Sequence, residues 1–243
     1  MLPFALLSIR SEREAAEDEH ESFGRFSGLD SSGLRRIDLA LGELPQLDLD
    51  DWSGVILGGG PWNASDPAVA KTEAQLRAES WLRSLLDEVV ARDFPFLGAC
   101  YGIGALGSHQ GGLVDRQWPE PVGPLQVMLT DHGAADPVFA QLPASFAAYG
   151  GHKEGLSRLP PAAVLLATST TCPVQAFRVG ANVYATQFHP ELDADGVCTR
   201  IEVYKEAGYF DPSTAEELKA SARTVEVAHP MSVLAAFVER HRR

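Results

Sequence analysis

The run FPFLGACYGIGALG, residues 94–107, holds one thiol, Cys100, between an apolar stretch and a set of glycines. A buried strand turning sharply into a helix would present that thiol at the apex of a nucleophile elbow, with Cys in the place of Ser. Glycines suit such a turn, where strand and helix crowd together. A thiol at a helix N-terminus also meets the positive end of the helix dipole, which favours the thiolate. The same residues equally suit a buried, inert cysteine. A nucleophile needs a base, and the base needs an orienting partner. Both stand at the end of a second strand-like run, NVYATQFHPE at residues 182–191. Pro190 keeps His189 extended, so its imidazole and the Glu191 carboxylate emerge on the same side. A lone histidine at a strand end is more often structural. A His-Pro-Glu unit paired with an elbow cysteine points instead to acyl transfer.

Acyl transfer also needs backbone N–H donors aimed at the developing oxyanion, and Gly58-Gly59-Gly60-Pro61 can bring them close. A tight strand-to-helix turn is the alternative use of those glycines. No P-loop pattern occurs. Gly102-Ile103-Gly104-Ala105-Leu106-Gly107 matches the dinucleotide fingerprint, and Asp131 ends a later strand-like run. The intervening GGLVDRQWPEPVGP, residues 111–124, is rich in Gly and Pro and is no crossover helix. No cofactor is therefore expected. The seven histidines show no zinc-ligand spacing, so no metal is expected either. Cys172 and Cys198 read as packed, unreactive thiols.

The elements that must position these groups follow from periodicity. Strands are expected over 4–9, 34–41, 54–60, the elbow run, 125–130, 145–149, 163–168, 174–179 and 183–188. Residues 67–92 carry Val69, Leu76, Trp81, Leu82, Leu85, Leu86 and Val89 at helical spacing, and a short helix follows the elbow to about His109. The acidic stretch 11–23 reads as an exposed helix or a mobile loop, its charges a solvated face or else an interaction surface. Helices are expected near 195–207, 213–222 and 231–241, the last docking Val233, Leu234, Phe237 and Val238 on the core. Strands alternating with helices predict an α/β fold with a mostly parallel central sheet flanked by helices. The closely spaced later strands predict added antiparallel pairing. The expected organisation is a catalytic domain over residues 1–194, with a helical extension over 195–243 packed on it.

A net charge of −13 disfavours nucleic-acid binding, which needs a basic footprint. Three cysteines without a CxxC pair fit a reducing cytoplasm better than a disulfide framework. The start, MLPFALLSIR, has no charged region ahead of its apolar stretch and no cleavage site, and reads as a strand. No apolar run approaches the roughly 18 residues of a membrane span.

Together, GGGP (58–61), LGACYGIG (97–104), GHKEGLSRLP (151–160), CPVQAFRVG (172–180) and YATQFHPE (184–191) resemble the class I, triad-type glutamine amidotransferases. Within them the chain is most similar to the glutaminase domains of GMP synthases, over roughly residues 4–192. The resemblance implies a flavodoxin-like sheet and a nucleophile, Cys100, that attacks the side-chain amide of glutamine. It implies His189 as acid and base, Glu191 orienting it, and an oxyanion hole from the N–H groups of Tyr101 and Gly59 or Gly60. His152 aligns near the glutamine pocket. Gly104 stands where the family carries a substrate-binding Gln. The expected function is glutamine hydrolysis, with ammonia passed to a separate synthetase subunit. The alternative, motivated by Gly104, is a γ-glutamyl hydrolase acting on a γ-glutamyl amine or peptide. A non-catalytic regulatory module is a third reading.

Overall fold

The computed structural model describes residues 2–243. Four short strands, β1 (Phe4–Ser8), β2 (Leu34–Asp38), β3 (Gly54–Leu57) and β4 (Phe96–Ala99), pair in parallel in the order β2-β1-β3-β4. β1, β3 and β4 are buried along their whole length, as expected of strands covered on both faces. The order reverses between β1 and β3, which opens a crevice at their C-terminal ends. Arg10 and the Gly58–Gly60 turn lie just past those ends.

β11 (Val183–Thr186) joins the parallel set beside β4. β10 (Ala176–Val179), β9 (Ala163–Thr168), β6 (Glu120–Leu129) and β7 (Ser145–His152) continue the sheet in antiparallel pairing. The far end curls back: Tyr149 of β7 makes an isolated antiparallel bridge to His189, and the His189 N–H donates to the Tyr149 carbonyl at 2.9 Å. The Gly/Pro-rich stretch is less irregular than its composition suggests. It supplies β5 (Leu113–Asp115), which pairs with β8 (Gly155–Arg158), and the first half of β6. Asp131 opens the short helix α4 (Asp131–Ala135), whose cap is Thr130, rather than ending a strand.

Of the remaining helices, α2 (Glu73–Ala91) starts later than periodicity suggests. Thr72 caps it by accepting from the Gln75 N–H, and Val69 lies ahead in a separate turn, 96% exposed. The acidic stretch forms α1 (Arg13–Ser27), and it is neither mobile nor solvated all round. Ala15, Ala16, Glu19, Ser22 and Phe23 fall on one buried face. α3 (Tyr101–His109) follows the elbow, and α5 (Ala194–Val203), α6 (Ala215–Ala222) and α7 (Met231–His241) complete the chain. α7 packs against α1 and inserts Val233, Leu234, Phe237 and Val238, all fully buried, beside Phe4 and Tyr184. The Leu2 N–H donates to the Arg243 carbonyl at 2.8 Å, tying the two ends of the chain together.

Candidate active site

Cys100 occupies the junction of β4 and α3 at φ 51°, ψ −94°, one of two non-glycine residues with positive φ among those described. Its N–H donates to the Thr186 carbonyl at 2.8 Å, and its carbonyl accepts from Ile103, so the strained turn is held from both sides. Close packing explains the neighbouring glycine: a β-carbon on Gly98 would lie 2.9 Å from the Gly102 backbone. Cys100 remains partly exposed, whereas Cys172 and Cys198 are buried. Burial pushes the Cys172 thiol up to about 12.

His189 leaves β11 and points its ring at Cys100. Its Nδ1 lies 2.7 Å from the Glu191 Oε1, and both side chains are buried. Burial alone would lower the imidazole. The Glu191 carboxylate and the Cys100 sulfur outweigh it and raise His189 to about 10. For Glu191 burial acts upward, but the His189 and Arg200 charges win and hold it below the usual carboxylate range. The imidazole is therefore positioned to carry a proton at neutral pH. Gly59 closes the group, since a β-carbon there would sit 2.7 Å from His189 Cε1 and 3.1 Å from Cys100 Cβ. Tyr101, Gly59 and Gly60, the expected oxyanion donors, all adjoin the thiol. The arrangement can deliver a thiolate to a carbonyl, a proton to a leaving nitrogen, and backbone donors to an oxyanion.

The other two expected substrate contacts stand differently. His152 lines the cavity beside Cys100, but both its nitrogens face groups of the chain: the Glu154 carbonyl and Glu120 Oε2, each at 2.7 Å. Around Gly104 no room is left over. A β-carbon there would lie 3.1 Å from Glu154 Oε1 and 3.2 Å from Ala64 Cβ. The Glu154 carboxylate accepts from the N–H groups of Ala64 and Ser65 at 2.6 and 2.8 Å, so it occupies the space.

Glu120, His152 and Cys172 bring ligand-type atoms within 4.8 Å of one another. Their chemistry is that of a hydrogen-bonded network. Glu120 also accepts from Ser169 at 3.0 Å, from Gln175 at 2.7 Å and from Thr171, and these bonds with His152 overcome burial to keep its carboxyl low.

A second buried layer was not legible as part of the site. Glu19 of α1 accepts from Arg10 Nε at 2.8 Å and Ser8 Oγ at 2.9 Å, and its carboxylate rests against Gly58. Arg200 of α5 meets Asp18 at 3.2 Å and the Ala15 carbonyl at 2.5 Å. Tyr209 crosses above the thiol, its hydroxyl donating to the Gly60 carbonyl at 3.3 Å and its ring beneath Lys153. Two signals in the sequence point here. Arg10 directly follows a buried strand, where ligands of open α/β sheets bind, and Glu19 shares a helical face with Ala15, Ala16 and Phe23.

A family model of the class-I glutamine amidotransferases matches residues 33–196. The chain belongs to that family. Its relatives include the glutamine-hydrolysing GMP synthase of Thermomicrobium roseum, 32% identical over 151 residues, or 58% of this chain and 25% of that protein. They also include a glutamine-hydrolysing GMP synthase subunit from Thermococcus kodakarensis, 28% identical over 140 residues, or 57% of this chain and 66% of that one. The chain thus spans about a quarter of the longer synthases it matches. Among solved structures, a glutamine amidotransferase from Methylobacillus flagellatus superposes with a TM-score of 0.77 at 19% identity, covering 100% of this chain and 96% of that one. Another, from Thermotoga maritima, gives 0.73 at 24% identity over 98% and 97%. These likenesses concern the fold, and they extend over the C-terminal helices as well as the sheet.

Proposed function

We propose that this class I amidotransferase hydrolyses the side-chain amide of glutamine through a thioester on Cys100. The observation that carries the reading is the elbow thiol facing an imidazole raised to about 10 by its buried carboxylate partner. The Cys100 sulfur attacks the amide carbonyl, and the oxyanion meets the N–H of Tyr101 and of Gly59 or Gly60. The C–N bond breaks as His189 gives its proton to the nitrogen, and ammonia leaves. His189 then takes a proton from water, which attacks the thioester, frees glutamate and returns the thiolate. Glu191 holds the ring in place throughout.

The glutamyl part of the substrate belongs in the cavity lined by Trp62, Asn63, Tyr101, Lys153, Glu154 and Gln187. Lys153 suits the α-carboxylate. Gln187 Oε1, buried without a partner, suits the α-ammonium. Ammonia passes to a separate synthetase subunit in the cytoplasm; relatives named as subunits support that arrangement. A γ-glutamyl amine or peptide as substrate gains nothing from Gly104, whose space is filled. Such a substrate is favoured only by the cavity on the His189 side of the thiol.

Glutamate release from glutamine, with and without a glutamine analogue carrying a diazoketone in place of the amide, tests the reading. The expected result is turnover, a covalent adduct mapped to Cys100, and a loss of about 10⁴-fold in the Cys100→Ala variant. A Cys100→Ala protein that retains full biological activity would leave the regulatory-module reading standing instead.

A further inference from the structure

A cavity of about 60 Å³ adjoins the glutamyl cavity at the thiol, the two sharing Gly60, Cys100, Gly151 and Tyr209. On the scale of about 10–15 Å³ per water it holds roughly four to six solvent-sized groups. Cys100 reaches both cavities, but His189 lines only this one. Because His189 protonates the departing nitrogen, this cavity lies where the leaving group must emerge. Ammonia needs no such space.

The walls are specific. Val122, Leu192, Val197, Ile201 and Phe210 make an apolar body, and the charged side chains are Arg10, Arg200 and His189. Among the described residues no carboxylate lines it. The acidic partners Glu19, Asp18 and Glu191 stand behind the cations, outside the lining. Both guanidiniums are more than nine-tenths buried. Arg10 spends Nε on Glu19 and Nη1 on the Tyr204 hydroxyl, leaving Nη2 without a partner among the described residues. That Nη2 would lie 3.6 Å from a β-carbon on Gly59, the point that His189 and Cys100 also face. Arg200 Nε and Nη2 are buried without partners. A buried donor left unpaired keeps an uncompensated desolvation cost, larger when charged, so a ligand that pairs it gains correspondingly. Guanidinium donors fit a carboxylate, and they repel an ammonium.

We infer that this cavity is a leaving-group subsite, and that besides glutamine the chain cleaves γ-glutamyl amides of amines bearing an apolar side chain and a carboxylate. The inference rests on the thioester reading above and names its substrate class. The chemistry balances with water alone. The C–N bond breaks, the released amino acid takes the His189 proton, and hydrolysis of the thioester gives glutamate. The apolar side chain lies against Val197, Ile201 and Phe210, and its carboxylate meets Arg10 Nη2.

The test compares kcat/KM of the full chain for γ-glutamyl-leucine, for γ-glutamyl-isopentylamine, which lacks the carboxylate, and for glutamine. γ-Glutamyl-leucine is expected to be turned over and to exceed γ-glutamyl-isopentylamine at least tenfold. Phe210→Ala, at the partly exposed rim, and Arg10→Lys are each expected to lower the ratio of γ-glutamyl-leucine to glutamine at least tenfold. Glutamine hydrolysed with no turnover of γ-glutamyl-leucine overturns the subsite and leaves the thioester mechanism intact. A γ-glutamyl-isopentylamine as good as γ-glutamyl-leucine overturns the role of the cations. No turnover of any of the three, with no adduct at Cys100 from the diazoketone, overturns the mechanism beneath as well.

Discussion

Cys100 holds a backbone conformation that suits glycine, and a residue held so costs on the order of 1–3 kcal/mol. Glycine is ordinarily worse than alanine by about 0.5–1 kcal/mol inside an element, through the entropy of the unfolded chain. At this position the order should invert. Cys100→Gly is expected to unfold about 1 kcal/mol harder than Cys100→Ala, and urea midpoints of the two inactive proteins measure it. A Cys100→Gly midpoint below that of Cys100→Ala, the ordinary order, would mean that the turn stores no strain. His189 makes a second residue-scale prediction. Its folded value, about 10, lies above the ordinary value of about 6.5. The stability it contributes is therefore fully present below about 6.5 and is lost as pH rises through about 10. Glu191→Gln keeps a hydrogen-bond acceptor but removes the charge, and an opposite charge at such range is worth about 1–3 pH units. The alkaline limb of kcat/KM should move down by at least about one unit, and the fall in urea midpoint between pH 6 and pH 9 should become shallower. A limb that does not move would remove Glu191 from the control of the imidazole.

At the scale of elements, the buried face of α1 matters as much as the elbow. Glu19 pairs with Arg10, both side chains more than nine-tenths buried, so removing one partner strands a charge. Glu19→Ala is expected to lose about 3–5 kcal/mol, while the double variant Arg10→Met with Glu19→Leu recovers most of it, because matched apolar groups avoid the desolvation cost. Were Glu19 a solvated charge, the single substitution would shift the urea midpoint by no more than about 0.5 kcal/mol. This is also where the sequence was hardest to read. β1, β3, β4 and α7 announced themselves because an apolar run or a one-sided stripe has a single buried solution. Cys100, His189 and Glu191 were legible because their types and order define a reaction. Glu19 was obscured by five other acidic residues between positions 12 and 21, since helical spacing cannot say which charge has a partner inside. Gly104 misled in the opposite way. A missing side chain looks like space in a sequence, but Glu154, fifty positions away, fills it. Val69 fitted the helical period of α2, yet the Thr72 cap sets the start three residues later. Each of these was decided by a contact that spacing along the chain does not encode.

At the scale of the molecule, the C-terminal helices complete the sheet domain as well as covering the site. α7 drives four fully buried apolar side chains into the core shared with β1 and β11, and its rings meet theirs: Phe237 lies 6.1 Å from Phe4 and 6.2 Å from Tyr184. Burying one such side chain is worth about 1.5–3 kcal/mol, an upper estimate because the unfolded chain already hides part of that surface. Four of them rival the whole stability of an ordinary domain, about 5–15 kcal/mol. The α5 region adds the Arg200 contact to α1, and the turn after it lays Tyr204, Tyr209 and Phe210 over the thiol. Two changes separate these roles. Removing residues 231–243 should leave a chain that is insoluble or lacks a cooperative urea transition, because the core around Phe4 is opened. Replacing Tyr209 and Phe210 by Ala leaves α7 in place, so a cooperative transition within about 2 kcal/mol of wild type is expected, with the change falling on KM and leaving-group preference. A truncated protein that folds with its original midpoint would make 231–243 a separable appendage. The catalytic unit would then end ahead of α7 with the leaving-group cavity intact, because its walls reach no further along the chain than Phe210.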